Sequence, residues 1–123
     1  MKWVSAGPHW IWAVQTNDEL WHCAQPCSSS TSWKKAPGLL RNLDMRHGWV
    51  YGTNSNGTVF RIRADLSSSW ESFPEAGVMD QVSIGQRDVW GVRGGNIYQC
   101  QRPCNTSSAW TQVPGQLTYI DAE

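Results

Sequence analysis

A short apolar motif recurs in the sequence at intervals of 39 residues, at positions 11–14, 50–53 and 89–92. An apolar–aromatic pair returns with nearly the same period at 20–21, 59–60 and 97–98, and a tryptophan followed by a Pro/Gly turn recurs at Trp33, Trp70 and Trp110. A fixed period of about 40 residues is typical of repeat architectures. The sequence therefore predicts three units, 1–39, 40–78 and 79–116, and a seven-residue stub at 117–123.

Each unit contains the pattern of four short strands, called a, b, c and d in chain order. Strand a opens the unit, strand b holds the repeated apolar motif, strand c the apolar–aromatic pair and strand d the repeated tryptophan. Strand b is apolar on both faces, as Val50 and Tyr51 show, so its sheet should lie between two neighbouring sheets. Four-stranded antiparallel units of this length and burial are typical of β-propeller blades. A β-sandwich of a dozen strands is the alternative, and the strict period disfavours it.

Three blades are too few to close a ring, since propellers usually need four to eight. Open blade faces lined with large apolar residues would also leave an extensive exposed patch. We therefore expect a homodimer that closes a ring of six blades. The stub 117–123 repeats the pattern of strand a, which predicts an extra strand that could latch two chains together. The alternative is that the chain belongs to a longer protein.

The bulk composition excludes some classes of function. Equal numbers of acidic and basic residues give zero formal net charge, which disfavours nucleic-acid binding through bulk positive charge. No apolar run approaches the roughly 20 residues that span a bilayer, so membrane insertion is not expected. The first residues contain no apolar core of a signal peptide. The nine tryptophans instead indicate a repeated role in packing or in binding.

Two cysteine pairs occupy equivalent positions in the first and third units, Cys23 with Cys27 and Cys100 with Cys104. In the second unit Ile62 and Leu66 stand in their places, which favours a structural role. We expect disulfides within each unit and hence secretion. Reduced thiols and a zinc site are the alternatives. His22, interpreted as an isolated outward-facing residue, adds little to the case for a metal, and no cofactor is expected.

The third unit resembles the tectonin repeat in its segments Val-Trp-Gly-Val (89–92), Ile-Tyr-x-Cys (97–100) and Trp-Thr-Gln-Val-Pro-Gly (110–115). The first unit matches less closely, and the second is the most divergent. The resemblance implies a six-bladed propeller that binds carbohydrate on microbial or egg surfaces without catalysis. The cysteine pairs are similar to those of the horseshoe-crab tachylectin of this type, which binds lipopolysaccharide, and fish-egg lectins share the repeat.

Candidate sugar-binding residues lie at both ends of the predicted blades. Trp10 and Trp49, placed at the ends of the a–b loops, could stack on the C–H face of a sugar, although capping of the sheet edge is an equal alternative. Charged or polar groups accompany them in the three units, namely His9, Arg46, His47 and Arg87. The opposite loops offer Asn17 and Asn54 for hydroxyl groups, but such residues more often serve only to build turns.

These patterns predict a carbohydrate-binding lectin of innate defence that recognises microbial glycans or lipopolysaccharide. A propeller scaffold for protein–protein interaction is the alternative. An enzyme is not expected, because the sequence contains no nucleophile elbow, no phosphate-binding loop and no His-Glu zinc motif.

Overall fold

A computed structural model describes residues 3–27, 33–86, 88–101 and 104–116. These residues form three four-stranded antiparallel sheets, each with its strands in chain order. The first sheet consists of β1 (Trp3–Ala6), β2 (Trp10–Val14), β3 (Glu19–Ala24) and β4 (Lys34–Leu39). The second consists of β5 (Asn42–Arg46), β6 (Trp49–Thr53), β7 (Val59–Arg63) and β8 (Glu71–Ser72). The third consists of β9 (Gln81–Ile84), β10 (Asp88–Arg93), β11 (Asn96–Gln101) and β12 (Thr111–Gln116).

The sheets confirm the prediction of three antiparallel four-stranded units, and we number these blades 1 to 3. The pairing register repeats with the sequence, since Trp12 pairs with His22 and Tyr51 pairs with Arg61, 39 residues later. Two predicted placements were wrong in detail. Strand a begins about two residues later than expected, and each repeated tryptophan lies one residue before strand d. The stub 117–123 lies outside the described residues.

The blades stack face to face and bury two separate cores. Between blades 1 and 2, Trp12 and Val50 are fully buried. Between blades 2 and 3, Tyr51 packs in one cluster with Val89. Both faces of the middle blade are therefore covered, as its strand b pattern predicted. Trp90, the counterpart of Tyr51 in the last blade, faces away from the stack and is only half-buried.

A carboxylate connects the innermost strands of the three blades. Asp44 on β5 occupies the same repeat position as Ser5 on β1 and Ser83 on β9. The hydroxyl of Ser5 donates to Asp44 Oδ1 at 3.1 Å, and that of Ser83 donates to Oδ2 at 2.9 Å. The backbone N–H of Ile84 also donates to Oδ2, at 3.0 Å. Hydrogen bonds to this one side chain therefore link the innermost strands of all three blades.

Both predicted disulfides are present, and each joins residues four positions apart in one blade. They link Cys23 to Cys27 and Cys100 to Cys104. In blade 2, Ile62 is buried and Leu66 packs against the same core. The structural interpretation of these positions is thus confirmed, because apolar packing and a disulfide occupy equivalent places.

No helix in the described part of the chain is long and apolar enough to cross a membrane. The helical segment described in the structure is one 3₁₀ turn, Pro74–Ala76.

Candidate functional site

Three equivalent positions of strands b and c lie on the same face of every blade, which blades 1 and 2 turn toward the following blade, but the residues that fill them differ. In blade 1 they are Trp10, Trp12 and His22; in blade 2, Trp49, Tyr51 and Arg61; in blade 3, Asp88, Trp90 and Gln99. One backbone geometry therefore presents three kinds of chemistry: aromatic with imidazole, aromatic with guanidinium, and acidic with amide.

The blade 2 set borders a cavity of about 120 Å³ between blades 2 and 3, which we call the Trp49 site. His47 and Cys104 contribute to its lining. The guanidinium carbon of Arg61 lies 4.3 Å from the centroid of the Trp49 ring and 5.4 Å from that of Phe73. Cation–π attraction of this kind holds a guanidinium over an aromatic face. The aromatic rings thus fix a positive charge at the edge of the cavity.

Hydrogen bonds hold the Arg61 guanidinium in this position. Its Nε donates to Glu71 Oε1 at 2.9 Å, and its Nη1 donates at 3.3 Å both to the Tyr51 hydroxyl and to the backbone carbonyl of Cys104. Burial opposes the charged form, but the hydrogen bonds to Tyr51 and Glu71 outweigh it and raise the pKa of Arg61 above its ordinary value. The bond to Cys104 ties the site to blade 3.

Two further arginines flank Trp49 on the same face of the sheet. Arg46 and Arg63 are its register partners on β5 and β7. The guanidinium carbon of Arg63 also lies 4.3 Å from the Trp49 ring centroid. Hydrogen bonds from Ser67 lower the pKa of the nearby Asp65, and the charge of Arg63 adds a smaller contribution. Asp44, Asp65 and Glu71 are acidic neighbours of the three arginines, so the positive charge is concentrated at the Trp49 ring, against which the guanidinium groups of Arg61 and Arg63 lie.

The counterpart in blade 1 is closed by packing. His22 lies with its ring centroid 5.1 Å from that of Trp10 and 5.3 Å from that of Trp12. Its exposed fraction is 6%, so the expectation of an outward-facing residue was wrong. The pairing register explains the error, because it turns His22 onto the face that blade 2 covers. Burial lowers the pKa of His22, and the charge of Lys34 lowers it further.

Because its pKa is lowered only in the folded chain, His22 should make stability depend on pH. The unfolded state, with a histidine pKa near 6.5, binds the proton more readily than the folded state does. The contribution is complete above about pH 6.5 and is lost as the pH falls toward the folded-state pKa. Urea midpoints at pH 7.5 and 5.5 should differ less in His22→Gln than in the wild type. The exposed-residue variant His9→Gln should keep the wild-type difference, and an unchanged difference in His22→Gln would contradict the assignment.

In blade 3 the equivalent positions form a hydrogen-bonded set on the outer face of the stack. The carboxylate of Asp88 accepts from Trp90 Nε1 and from Gln99 Nε2, both at 2.6 Å. The half-buried indole of Trp90 lies beside them. These polar and aromatic groups face the side on which a further blade would pack.

The structure brings together part of the predicted site. Trp10 and Trp49 are the first residues of strands β2 and β6, directly after the a–b loops, and each pairs across the sheet. Arg46 and His47 lie beside Trp49, His47 in the turn that follows β5. His9 is exposed in the bend before Trp10. Arg87 lies outside the described residues.

The asparagines of the second predicted site lie at the opposite end of the blades and build turns. Asn17 Nδ2 donates to Glu19 Oε1 at 2.9 Å, and its Oδ1 accepts from the Glu19 backbone at 3.1 Å. Asn54 Oδ1 accepts from the backbone of Asn56 and of Thr58, both at 3.0 Å. Their oxygen atoms are therefore engaged within the turns.

Sequence reasoning missed Arg61 and Arg63, the residues that give the Trp49 site its charge. A signal was present, because two arginines separated by one residue on a strand must share a face. Their alignment with Trp49 depends on the register between β6 and β7, which the hairpin turn sets. Among the described residues, no group of three or more His, Cys, Asp or Glu is placed to hold a metal ion.

Fold and site together define a stack of propeller-like blades with a basic, aromatic cavity between two of them. No protein-family model matches the sequence. A fish-egg lectin of Cyprinus carpio is 33% identical over 66 residues, which cover 50% of this chain and 28% of that lectin. The chain is thus similar in sequence to a lectin over half its length.

A solved structure shares the fold. The crystal structure of human WBSCR16 matches with a TM-score of 0.66 and 14% identity, covering 97% of this chain and 41% of that chain. At this identity the likeness establishes the fold alone. The matched regions span less than half the length of the carp lectin and less than half the length of WBSCR16.

Proposed function

We propose that this protein is a carbohydrate-binding lectin that recognises anionic glycans of microbial surfaces, of which lipopolysaccharide is one, through the Trp49 site. The observation that carries the proposal is the cluster of Arg46, Arg61 and Arg63 around one tryptophan at a solvent-accessible cavity. The partial similarity to a carp fish-egg lectin supports the same class. Binding proceeds without catalysis and without a cofactor.

The geometry favours an acidic sugar over a neutral one. Guanidinium groups already lie against the Trp49 ring, so a sugar reaches the indole only where an arginine moves aside. A carboxylate or phosphate instead pairs directly with the exposed Arg63 and with the neighbouring Arg46, since a guanidinium binds such groups with two parallel hydrogen bonds. The sugar hydroxyls then meet His47 at the rim.

Removing the charges of Arg46 and Arg63 should abolish most of the adhesion to an anionic glycan surface. We expect the double variant Arg46→Gln/Arg63→Gln to lose roughly tenfold in retention on lipopolysaccharide-coated beads, because two solvent-exposed ion pairs contribute up to about 1 kcal/mol each. The matched control, Lys34→Gln/Lys35→Gln, removes the same charge from exposed positions on blade 1. Equal loss in both variants would mean that bulk charge drives adhesion. If neither anionic nor neutral glycan beads retain the wild type, the lectin proposal is wrong. A propeller scaffold for protein–protein interaction would then be the better interpretation.

The proposal includes closure of the ring by a second copy of the chain. The outer face of blade 1 contains Val4, 59% exposed, with Ile11 and Trp21 half-buried beside it. The outer face of blade 3 presents Trp90 and Val113. Two chains related by a twofold axis would cover both faces and complete six blades. Such a ring carries two Trp49 sites, whose weak individual affinities combine on a surface.

Light scattering tests ring closure. At micromolar concentration we expect a particle of twice the 13.8 kDa chain mass. Trp90→Ala should shift it toward the single chain, because the indole lies on the face to be covered. A wild type that stays at 13.8 kDa as the sole species would contradict the dimer. We propose that the protein is secreted, which the two disulfides support because disulfides persist in oxidising compartments.

A further inference from the structure

Two segments of the sequence have the form Asn-x-Ser/Thr with x other than proline, the acceptor sequence for N-linked glycosylation. They are Asn56-Gly57-Thr58 and Asn105-Thr106-Ser107. The first lies in the turn between β6 and β7, and the second lies in the loop between β11 and β12. Glycan binding at the Trp49 site uses neither of them. Their surroundings differ, and the difference indicates which of the two asparagines is presented for modification.

The Asn56 segment is part of a tightly packed turn. Gly57 is buried and adopts a φ of +85°, and a Cβ there would overlap Val78. The Gly57 carbonyl accepts from the Met79 N–H at 2.8 Å, which ties the turn to the connection between blades 2 and 3. Thr58, whose hydroxyl completes the acceptor sequence, is half-buried and pairs with Val78 in an isolated bridge. To present this segment to an enzyme, the folded chain would have to disrupt that packing.

The Asn105 segment, in contrast, is open to solvent at both residues that the modification requires. Asn105 and Ser107 are exposed. The Ser107 hydroxyl donates to Asn105 Oδ1 at 2.8 Å, and the Ser107 N–H donates to the same oxygen at 3.0 Å. The other hydrogen bonds of Asn105 to described residues use its backbone, so they leave Nδ2 unoccupied. The amide nitrogen that would carry the sugar and the hydroxyl of the acceptor sequence thus lie side by side at the surface.

The fold does not require an asparagine at position 105. The equivalent residues in the first two units are Ser28 and Ser67, one position after the second cysteine or its apolar counterpart. In blade 2 the loop contains a different turn, in which Asp65 Oδ1 accepts from the Ser67 N–H at 3.0 Å. Blade 2 thus forms the same four-stranded sheet with a serine at this position. This comparison favours a role for Asn105 beyond the building of its own turn.

We propose that Asn105 carries an N-linked oligosaccharide. The inference rests on the proposed secretion, because the transferase and its donor act in the secretory pathway. The donor is an oligosaccharide joined to a lipid through a diphosphate. Nδ2 of Asn105 forms a bond to the anomeric carbon of the first sugar, and the bond from that carbon to the diphosphate oxygen breaks. The lipid diphosphate leaves with the bonding electron pair, and Nδ2 releases one proton, so the side chain stays a neutral amide.

The oligosaccharide stands at the blade 3 edge of the Trp49 site. Cys104, directly before Asn105, lines that cavity, and its carbonyl accepts from Arg61 Nη1 at 3.3 Å. Arg46 and Arg63 belong to blade 2, so the glycan is attached to the blade on which neither of them lies. The modification therefore uses none of the groups proposed to bind an anionic ligand. A bulky, hydrophilic chain at this edge also keeps it exposed to solvent.

The test expresses the whole chain behind a secretion leader in cultured insect cells, so that delivery to the transferase does not depend on how the natural protein is exported. The secreted protein is treated with peptide N-glycosidase in ¹⁸O-labelled water. This enzyme converts a glycosylated asparagine to a labelled aspartate, which peptide mass spectrometry locates and separates from spontaneous deamidation. We expect the label at position 105 in most molecules, with an occupancy several-fold higher than at position 56.

Three variants control the assignment. Ser107→Ala should remove the label at position 105, because it deletes the hydroxyl of the acceptor sequence, whereas Ser107→Thr keeps a hydroxyl and should retain the label. Asn56→Gln should leave the label at position 105 unchanged. The proposal is overturned if the secreted wild type carries no label at position 105, if the label there persists in Ser107→Ala, or if Asn56 is the more occupied residue. The Trp49 site is tested separately, since bead adhesion can be measured with Asn105→Gln, so the two proposals fail independently.

Discussion

Trp12→Ala should lower the free energy of unfolding by about 3–5 kcal/mol, the range for removing a large aromatic side chain from a core. Trp12 is fully buried between blades 1 and 2, in the same cluster as Leu43 and Val50. Its Nε1 donates to the Ala64 carbonyl at 3.2 Å, so the variant also leaves a buried acceptor on blade 2 without this donor. Urea unfolding followed by far-ultraviolet circular dichroism measures the loss.

Trp90 provides a matched control in the same chain. It occupies the same repeat position as Trp12 but faces outward from blade 3 and is only half-buried. Trp90→Ala should therefore cost less within one chain and act mainly on association. Trp12→Phe, which keeps a ring and loses the donor, should cost about 1–2 kcal/mol. Equal effects of Trp12→Ala and Trp90→Ala on the unfolding of a single chain would contradict the assigned blade order.

Much of the fold was predictable because the same pattern of strands occurs three times in the sequence. The motif that contains Val50 and Tyr51 identified a strand covered on both faces, and the structure places one core on each side of it. Strand boundaries were less predictable. A tryptophan such as Trp70 has high strand propensity, yet it precedes β8, because pairing geometry decides where a ladder begins.

The candidate site was predictable only in part. Trp49, Arg46 and His47 were found because they are close in sequence. Arg61 and the partners that hold it, including the Cys104 carbonyl, belong to a different strand and a different blade, and their meeting depends on register and on stacking. His22 was misplaced for the same reason. Contacts across blades involve pairs of residues far apart in sequence, which periodicity alone does not bring together.

The repeat also explains why equivalent positions have different roles. The backbone requires a residue that fits between blades, and His22, Arg61 and Gln99 all meet that requirement with different charge. Repetition thus supplies a constant frame, and single substitutions within it create the proposed glycan site.

Asp44→Ala should destabilise the chain by about 3 kcal/mol, although the side chain is only partly buried. The carboxylate accepts hydrogen bonds from Ser5 on blade 1 and from Ser83 and the Ile84 N–H on blade 3. Bonds to an ionised acceptor contribute more than neutral ones, and alanine would leave these donors without the carboxylate that unites them.

Two further variants separate the charge of Asp44 from its shape. Asp44→Asn keeps one carbonyl oxygen but places an amide donor against either the Met45 N–H or the Ile84 N–H, so it should cost about half as much as alanine. Asp65→Ala removes an exposed carboxylate whose Oδ1 accepts from the Ser67 backbone at 3.0 Å within a local turn, and it should cost much less than Asp44→Ala. Hydrogen exchange gives the spatial test. Because Asp44 joins three blades, its loss should raise exchange at Met45 on β5 and at Ile84 on β9 together, whereas a rise confined to β5 would show that the carboxylate serves its own strand alone.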